Sequence, residues 1–221
     1  MYTKELNSLP SNVRAFYERS IPADARIPSR TLESYIKDGY QRLFVTYDSN
    51  ERPVAATFMA IGMLDAIPVL FQSYFVVDSE ITSVELETYH VQHVQETLKS
   101  SYPNARILFE MPPASESGIA EDERKFRTEY ADFVKGLGGS VLWSCYQVPA
   151  LDGSAPQRYE LWQYPQRQEA QVNNETIALY VYVLLRFAYE LDATAARAML
   201  TSDDLPTSNQ SQFEAAARRV A

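Results

Sequence analysis

The segment from residue 69 to residue 111 constrains the fold more than any other part of the chain. Residues 69–77 (VLFQSYFVV) are rich in β-branched and aromatic side chains, which favours a strand. Residues 83–101 place their apolar side chains on one face, which predicts an amphipathic helix. Residues 105–111 (ARILFEM) predict another strand. A strand, a long helix and a strand predict a parallel pair with a right-handed crossover, and therefore the α/β class.

Further helices and strands are predicted on both sides of this segment. Gly138 and Gly139 follow a helical pattern and are typical of a helix end. A polar turn between two apolar runs predicts a hairpin early in the chain. The predicted helices are 12–20, 31–38 and 123–137, and the predicted strands are 41–47, 53–62, 140–148 and 158–163.

The character of the sequence changes after Pro165. Residues 177–191 (IALYVYVLLRFAYEL) are apolar on nearly every side, but the run is shorter than the roughly 20 residues of a membrane span. We expect one domain over residues 1–165 and a C-terminal helical extension over 166–221 that packs on the core or at a dimer interface. The extension also contains short helices at 193–200 and 212–220. Because its polar tail covers the apolar helix poorly, we predict that this helix forms part of a homodimer interface.

Composition narrows the compartment and the classes of partner. The 221 residues carry a net charge of −9, which disfavours DNA or RNA as a general partner. Cys145 is the single cysteine, so no intrachain disulfide can form. The first twenty residues contain no apolar leader segment. We therefore expect a cytoplasmic protein without a membrane partner.

Four local motifs, in their order along the chain, resemble the GNAT superfamily of N-acyltransferases. They are YFVVD (74–78), ILFE before Pro112 (107–110), FVKGLG (133–138) and the spaced pattern Y-Q-x-P-x-L (146–151). The resemblance covers roughly residues 12–165. It implies a mixed central sheet flanked by helices and an acyltransferase that uses a phosphopantetheine thioester.

One departure from the superfamily bears on the acyl donor. GNAT enzymes hold the pyrophosphate of coenzyme A on a glycine-rich loop at a helix N-terminus. No glycine occurs between Gly62 and Gly118, and Glu85 and Glu87 occupy the corresponding helix start. Val134 also stands where the usual tyrosine acid is expected. The sequence therefore resembles a divergent member of the superfamily that lacks the pyrophosphate loop.

The resemblance assigns roles to eight residues. Glu110 is the candidate general base, with a structural carboxylate as the alternative, and Tyr146 is the candidate acid, with packing as its alternative. The candidate substrate-binding residues are Tyr74, Arg127 and Gln147, and the backbone of Phe75, Val76 and Val77 is the candidate binding segment for the donor arm. The expected site is the cleft between residues 71–77 and 107–110.

Other polar residues receive structural interpretations. Arg124 and Arg127 are expected to pair with Glu121 or Asp122 on the surface, unless they bind a substrate anion. His90 and His93 lie three residues apart on a helix, and we expect both at the surface rather than in a metal site. Cys145 is not expected to act as a nucleophile.

The resemblance implies transfer of an acyl or aminoacyl group to a small-molecule amine. The lost loop favours a donor other than free acetyl-coenzyme A, such as an acyl carrier protein thioester or an aminoacyl-tRNA, although the negative charge argues against tRNA. The alternative is a GNAT-fold protein without transferase activity, which binds a ligand or partner or catalyses another reaction such as decarboxylation.

Overall fold

The computed structural model describes residues 1–64, 67–103, 105–149, 157–164, 172 and 174–200. They fall into two compact units, each described by itself. The first unit is Met1–Ile61 with Leu70–Ala105, and the second is Gly62–Val69 with Arg106–Ala221. The predicted boundary at residue 165 lies outside the described residues and stays a prediction.

The described residues form seven strands and six α-helices. The strands are β1 (Tyr2–Leu6), β2 (Gln41–Tyr47), β3 (Pro53–Leu64), β4 (Ile67–Val77), β5 (Arg106–Met111), β6 (Ser140–Val148) and β7 (Gln157–Tyr164). The helices are α1 (Ser11–Ser20), α2 (Ser29–Lys37), α3 (Val84–Ser101), α4 (Glu121–Gly136), α5 (Asn174–Phe187) and α6 (Ala193–Leu200).

In the first unit the strand order is β1-β2-β3-β4, and β2 pairs antiparallel with both β1 and β3. A core of buried side chains joins α1 and α2 to the β2–β3 hairpin, with Phe16, Tyr17, Leu32, Leu43 and Phe58 at its centre. Alternation along β2 sends Leu43 towards these helices and its neighbours to the opposite face.

The second unit has the strand order β5-β7-β6, with antiparallel pairing throughout. Phe109 of β5 stacks on Tyr164 of β7 with ring centroids 4.8 Å apart. The predicted glycine end of α4 is confirmed. Gly138 has φ 84° and donates to Lys135, while Gly139 donates to the carbonyl of Val134, which is the Schellman pattern.

The C-terminal helix α5 is buried within a single chain. Every residue from 177 to 185 is at most 8% exposed, and α5 contacts both α6 and β6. The apolar surface that motivated a homodimer is therefore covered without a second subunit, and the dimer stays a prediction. The predicted helix at 212–220 lies outside the described residues.

Strand β1 was missed, because Tyr2–Leu6 is a short edge strand that carries Lys4 and Glu5. β4 and β5, expected as a parallel pair, fall largely in different units. Among the residues with described placement, none of the helices is long and apolar enough to cross a membrane.

Candidate functional site

Glu110 lies near the end of β5, and its carboxylate is held by Tyr189, which lies in the turn between α5 and α6. The side chain is half-buried, and its Oε2 accepts a hydrogen bond from the hydroxyl of Tyr189. In the sheet Glu110 pairs with Leu161 of β7. Because residues two apart on a strand share a face, Tyr159 stands on the Glu110 face of β7.

Tyr159 is a second member of this site that sequence reasoning missed. Burial raises the pKa of its phenol, the negative charge of Glu110 raises it further, and the positive charge of Arg127 opposes both effects. Its hydroxyl also donates to Gln157 at 3.2 Å. The phenol therefore keeps its proton at neutral pH beside the carboxylate of Glu110.

Arg127 anchors the loop that follows β5. Its side chain is 14% exposed and bridges Glu116 at 2.6 Å and Glu123 at 2.7 Å. It also donates to the carbonyl of Pro113 at 3.1 Å. These contacts give the guanidinium a structural function on the loop, and its predicted role in substrate binding stays a prediction.

Arg124 acts on the same loop through the backbone. It donates to the carbonyls of Ala114 at 2.6 Å and Glu116 at 3.1 Å. Sequence reasoning had suggested Glu121 or Asp122 as partners of this arginine pair. The structure places both guanidiniums against the loop instead, so that they fix its path from β5 into α4.

Tyr146 and Gln147, both predicted site residues, lie on β6 beside β7. In the ladder Tyr146 pairs with Tyr159, and Gln147 pairs with Arg158. The side chain of Tyr146, like that of Cys145, lies outside the described part of the structure. The register thus places the backbone of Tyr146 next to Tyr159, and the catalytic role of Tyr146 stays a prediction.

Tyr74 of the first unit has a hydroxyl that is engaged by the backbone. It accepts from the N–H of Ile27 at 2.9 Å, and the hydroxyl of Tyr17 donates to the Ile27 carbonyl at 2.9 Å. The Tyr17 and Tyr74 rings meet edge to face at 5.4 Å. The two tyrosines hold the segment between α1 and α2, and substrate binding by Tyr74 stays a prediction.

Phe75 contacts α3, whereas Val76 belongs to the core shared with α1 and α2. The predicted binding of the donor arm by the backbone of Phe75, Val76 and Val77 stays a prediction. The Phe75 ring stacks on the imidazole of His90 with centroids 5.6 Å apart, and Val76 is buried. The expectation that His90 lies at the surface is wrong. His90 is 0% exposed, and its ring nitrogens lie 2.7 Å from the Thr46 hydroxyl and 2.8 Å from that of Thr57.

The first turn of α3 carries acidic side chains that serve its own backbone. Ser83 caps the helix by accepting from the N–H of Leu86 at 3.2 Å. The carboxylate of Glu85 accepts from its own backbone N–H and from the Ser83 hydroxyl, and both contacts lower the pKa of Glu85. Thr82 donates to Glu87 at 2.8 Å. An anion approaching this helix start meets two carboxylates, and the N–H groups of Leu86 and Glu87 already have acceptors.

Metal ligation finds no support in the described residues. Across residues 1–64, 67–103, 105–149, 157–164, 172 and 174–200, no group of three or more histidine, cysteine, aspartate or glutamate side chains is placed to hold a metal ion.

Comparisons with known proteins bear on the fold. No family model matches the sequence, and no curated protein matches it. A solved structure from Bacteroides thetaiotaomicron, described as a GNAT-family acetyltransferase, superposes with a TM-score of 0.63 at 14% identity and covers 87% of this chain and 100% of its own. The chain has the GNAT fold.

Other GNAT structures match over a smaller share of the chain. An aminoglycoside 6'-N-acetyltransferase solved with coenzyme A gives a TM-score of 0.56 at 12% identity, over 77% of this chain and 99% of its own. The ribosomal-protein-S18-alanine N-acetyltransferase of Escherichia coli gives 0.51 at 15% identity, over 78% and 99%. These superpositions show the GNAT fold, with its mixed central sheet and flanking helices, as the sequence predicted.

Proposed function

We propose that this GNAT-fold chain transfers an acyl group from a phosphopantetheine thioester to a small-molecule amine. Glu110 is the general base, and the phenol of Tyr146 or Tyr159 is the proton donor. One observation carries the proposal. On this fold, the half-buried carboxylate of Glu110 near the end of β5 accepts a hydrogen bond from Tyr189 and raises the pKa of Tyr159.

The reaction needs only the amine, the thioester and these protein side chains. The amine nitrogen attacks the thioester carbonyl carbon, and the C–S bond breaks to release the thiol. Glu110 takes the proton that the amine loses. A tyrosine phenol supplies a proton to the departing thiolate, and the high pKa of Tyr159 keeps that proton available at neutral pH.

The donor we propose presents its phosphopantetheine arm without the adenosine diphosphate part of coenzyme A. The support is the first turn of α3, where Glu85 and Glu87 stand near the helix N–H groups. Like charges repel a pyrophosphate at this position. An acyl carrier protein thioester meets this requirement. An aminoacyl-tRNA also lacks the pyrophosphate, but the net charge of −9 disfavours it.

The test compares two donors that share the reactive thioester. S-acetylpantetheine and acetyl-coenzyme A are each incubated with the full chain and a panel of amines. The panel includes an aminoglycoside and a peptide with N-terminal alanine, because structures with those substrates in their names share the fold. We expect acetylated amine with both donors and no preference for coenzyme A. A strong preference for acetyl-coenzyme A would refute the donor assignment.

A second candidate is a GNAT-fold protein that binds a ligand without transferring an acyl group. The observation that favours it is the same acidic first turn of α3. The resemblance adds that Val134 stands where a tyrosine is expected. The amine panel separates the two candidates. Product formation that exceeds the uncatalysed rate and depends on Glu110 supports the transferase, and its absence with every donor and amine supports the binding protein.

A further inference from the structure

The turn after α5 has a defined structure that fixes the position of Tyr189. The N–H groups of Ala188 and Tyr189 both point to the Leu184 carbonyl, at 2.8 and 3.3 Å. Leu191 donates to the carbonyl of Leu185 at 3.0 Å. The side chain of Arg186 then donates to the Leu191 carbonyl at 3.0 Å. Tyr189 is thus held between the helix end and a closed turn.

The backbone beside Tyr189 adopts a conformation that side chains disfavour. Glu190 has φ 53°, in the left-handed region where glycine or asparagine is the usual residue. On the other side of the turn, Asp192 accepts from the N–H of Ala195 at 2.8 Å and begins α6. Disfavoured backbone that is held by its surroundings is often found at functional sites.

The turn brings the side chain of Tyr189 into contact with Glu110, which is far away in the sequence. Tyr189 and Glu110 are 79 residues apart, and the phenol hydroxyl donates to Oε2 of the carboxylate. A hydrogen bond to an ionised carboxylate favours the ionised form and fixes its orientation. A general base needs both properties when the amine arrives.

We propose that Tyr189 is a positioning residue. The turn between α5 and α6 thereby completes the site, because Tyr189 holds the carboxylate of Glu110 ionised and oriented. The proposal rests on the proposed function for the role of Glu110 as a base. The contact itself is a property of the folded chain and can be measured without any substrate.

The first experiment titrates Glu110 directly. Full-length protein labelled with 13C at the glutamate carboxyl carbon is followed by NMR over pH, with Glu110→Gln used to assign the resonance. In Tyr189→Phe the carboxylate loses a hydrogen-bond donor, and we expect the Glu110 pKa to rise by about one unit. Tyr40→Phe, the same change at an exposed residue, should leave it unchanged. An unchanged Glu110 pKa in folded Tyr189→Phe overturns the proposal.

A second variant moves the phenol without removing it. Glu190→Val places a β-branched residue at the left-handed position and disfavours the turn. We expect the Glu110 pKa to rise in this variant as well, because the hydroxyl of Tyr189 is displaced. If only one of the two variants folds, that variant alone decides the proposal by the same criterion.

The kinetic experiment asks whether the contact serves the reaction. With S-acetylpantetheine and an accepted amine, Tyr189→Phe should lower kcat about tenfold with little change in KM, and the acid limb of the pH profile should move upward. A rise in kcat/KM would show that Tyr189 masks the base, and would overturn the proposal. A wild-type chain without transfer refutes the proposed function, and the titration still decides whether Tyr189 controls Glu110.

Discussion

The imidazole of His90 is fully buried with its Nδ1 2.7 Å from the hydroxyl of Thr46. Its Nε2 lies 2.8 Å from the hydroxyl of Thr57, so both ring nitrogens have partners. Since a neutral imidazole has one N–H donor and one acceptor nitrogen, two hydroxyls satisfy it without a charge. The ring stacks on Phe75 and thereby supports β4 from α3.

Because His90 is buried as a neutral ring, we expect the first unit to lose stability as the pH falls. Burial, and to a lesser extent His93, lowers the pKa of His90 from 6.5 to about 3. Above pH 6.5 both folded and unfolded chains carry neutral His90, and its contribution is complete. Between pH 6.5 and 3 only the unfolded chain binds the proton, so the free energy of unfolding falls by about 1.4 kcal/mol per pH unit.

Urea unfolding between pH 5 and 7 measures this slope, because most carboxylates stay ionised there. His90→Gln should be less stable at pH 7 but should lack the part of the slope that comes from His90. An equal slope in wild type and variant over this window would show that His90 does not titrate as described.

Gly139→Ala should destabilise the chain by roughly 1–3 kcal/mol, as overpacking does. A Cβ at Gly139 would meet the Val134 side chain and stand 2.9 Å from the Val134 carbonyl oxygen. Gly136 is the matched control, because a Cβ there meets nothing within 4 Å. Gly136→Ala should be neutral or stabilise α4 by up to about 1 kcal/mol. Thermal unfolding of both variants checks the difference, and equal melting temperatures would contradict it.

Tyr74→Phe should lower the free energy of unfolding by about 1 kcal/mol, because the N–H of Ile27 loses its acceptor. Tyr40→Phe serves as the control at a residue that is 62% exposed. Denaturant unfolding gives the stability, and the KM for the amine tests the predicted substrate-binding role separately. A stability equal to that of Tyr40→Phe would show that the hydroxyl of Tyr74 is not a structural partner of Ile27.

Coenzyme A should bind with a Kd weaker than roughly 10 μM, because Glu85 and Glu87 repel its pyrophosphate. The double variant Glu85→Gln with Glu87→Gln should bind it about tenfold more tightly. The double variant Glu96→Gln with Glu129→Gln, which neutralises two exposed carboxylates elsewhere, controls for net charge. Isothermal titration gives each Kd. Wild-type binding of coenzyme A tighter than roughly 10 μM would refute a donor that lacks the adenosine diphosphate part.

Local pattern made much of the fold predictable. β2 and β6 match their predicted bounds, because both are rich in β-branched and aromatic residues and have clear turn residues at their ends. The end of α4 was predictable because Gly138 supplies the left-handed φ that closes a helix. The apolar helix was predicted over 177–191 but ends at Phe187, since residues 188–191 form the turn that carries Tyr189.

The contacts that define the candidate site were not predictable in the same way. Tyr189 reaches Glu110 over 79 residues, and no local signal marks such a pair. His90 has partners 44 and 33 residues away, although its position in the buried series Leu86, His90, Val94 and Leu98 was a usable signal. A polar residue at an apolar helical spacing indicates a buried residue that needs partners.

The most direct test of the proposed site is the transfer rate of Glu110→Gln. With S-acetylpantetheine and an amine that wild type accepts, we expect a loss of at least about 100-fold in kcat with a nearly unchanged melting temperature, because only the titratable group is removed. Glu129→Gln, at an exposed carboxylate of α4, should keep full activity. Activity of Glu110→Gln within a factor of about three of wild type would contradict the assignment of Glu110 as the general base and leave it as a structural residue.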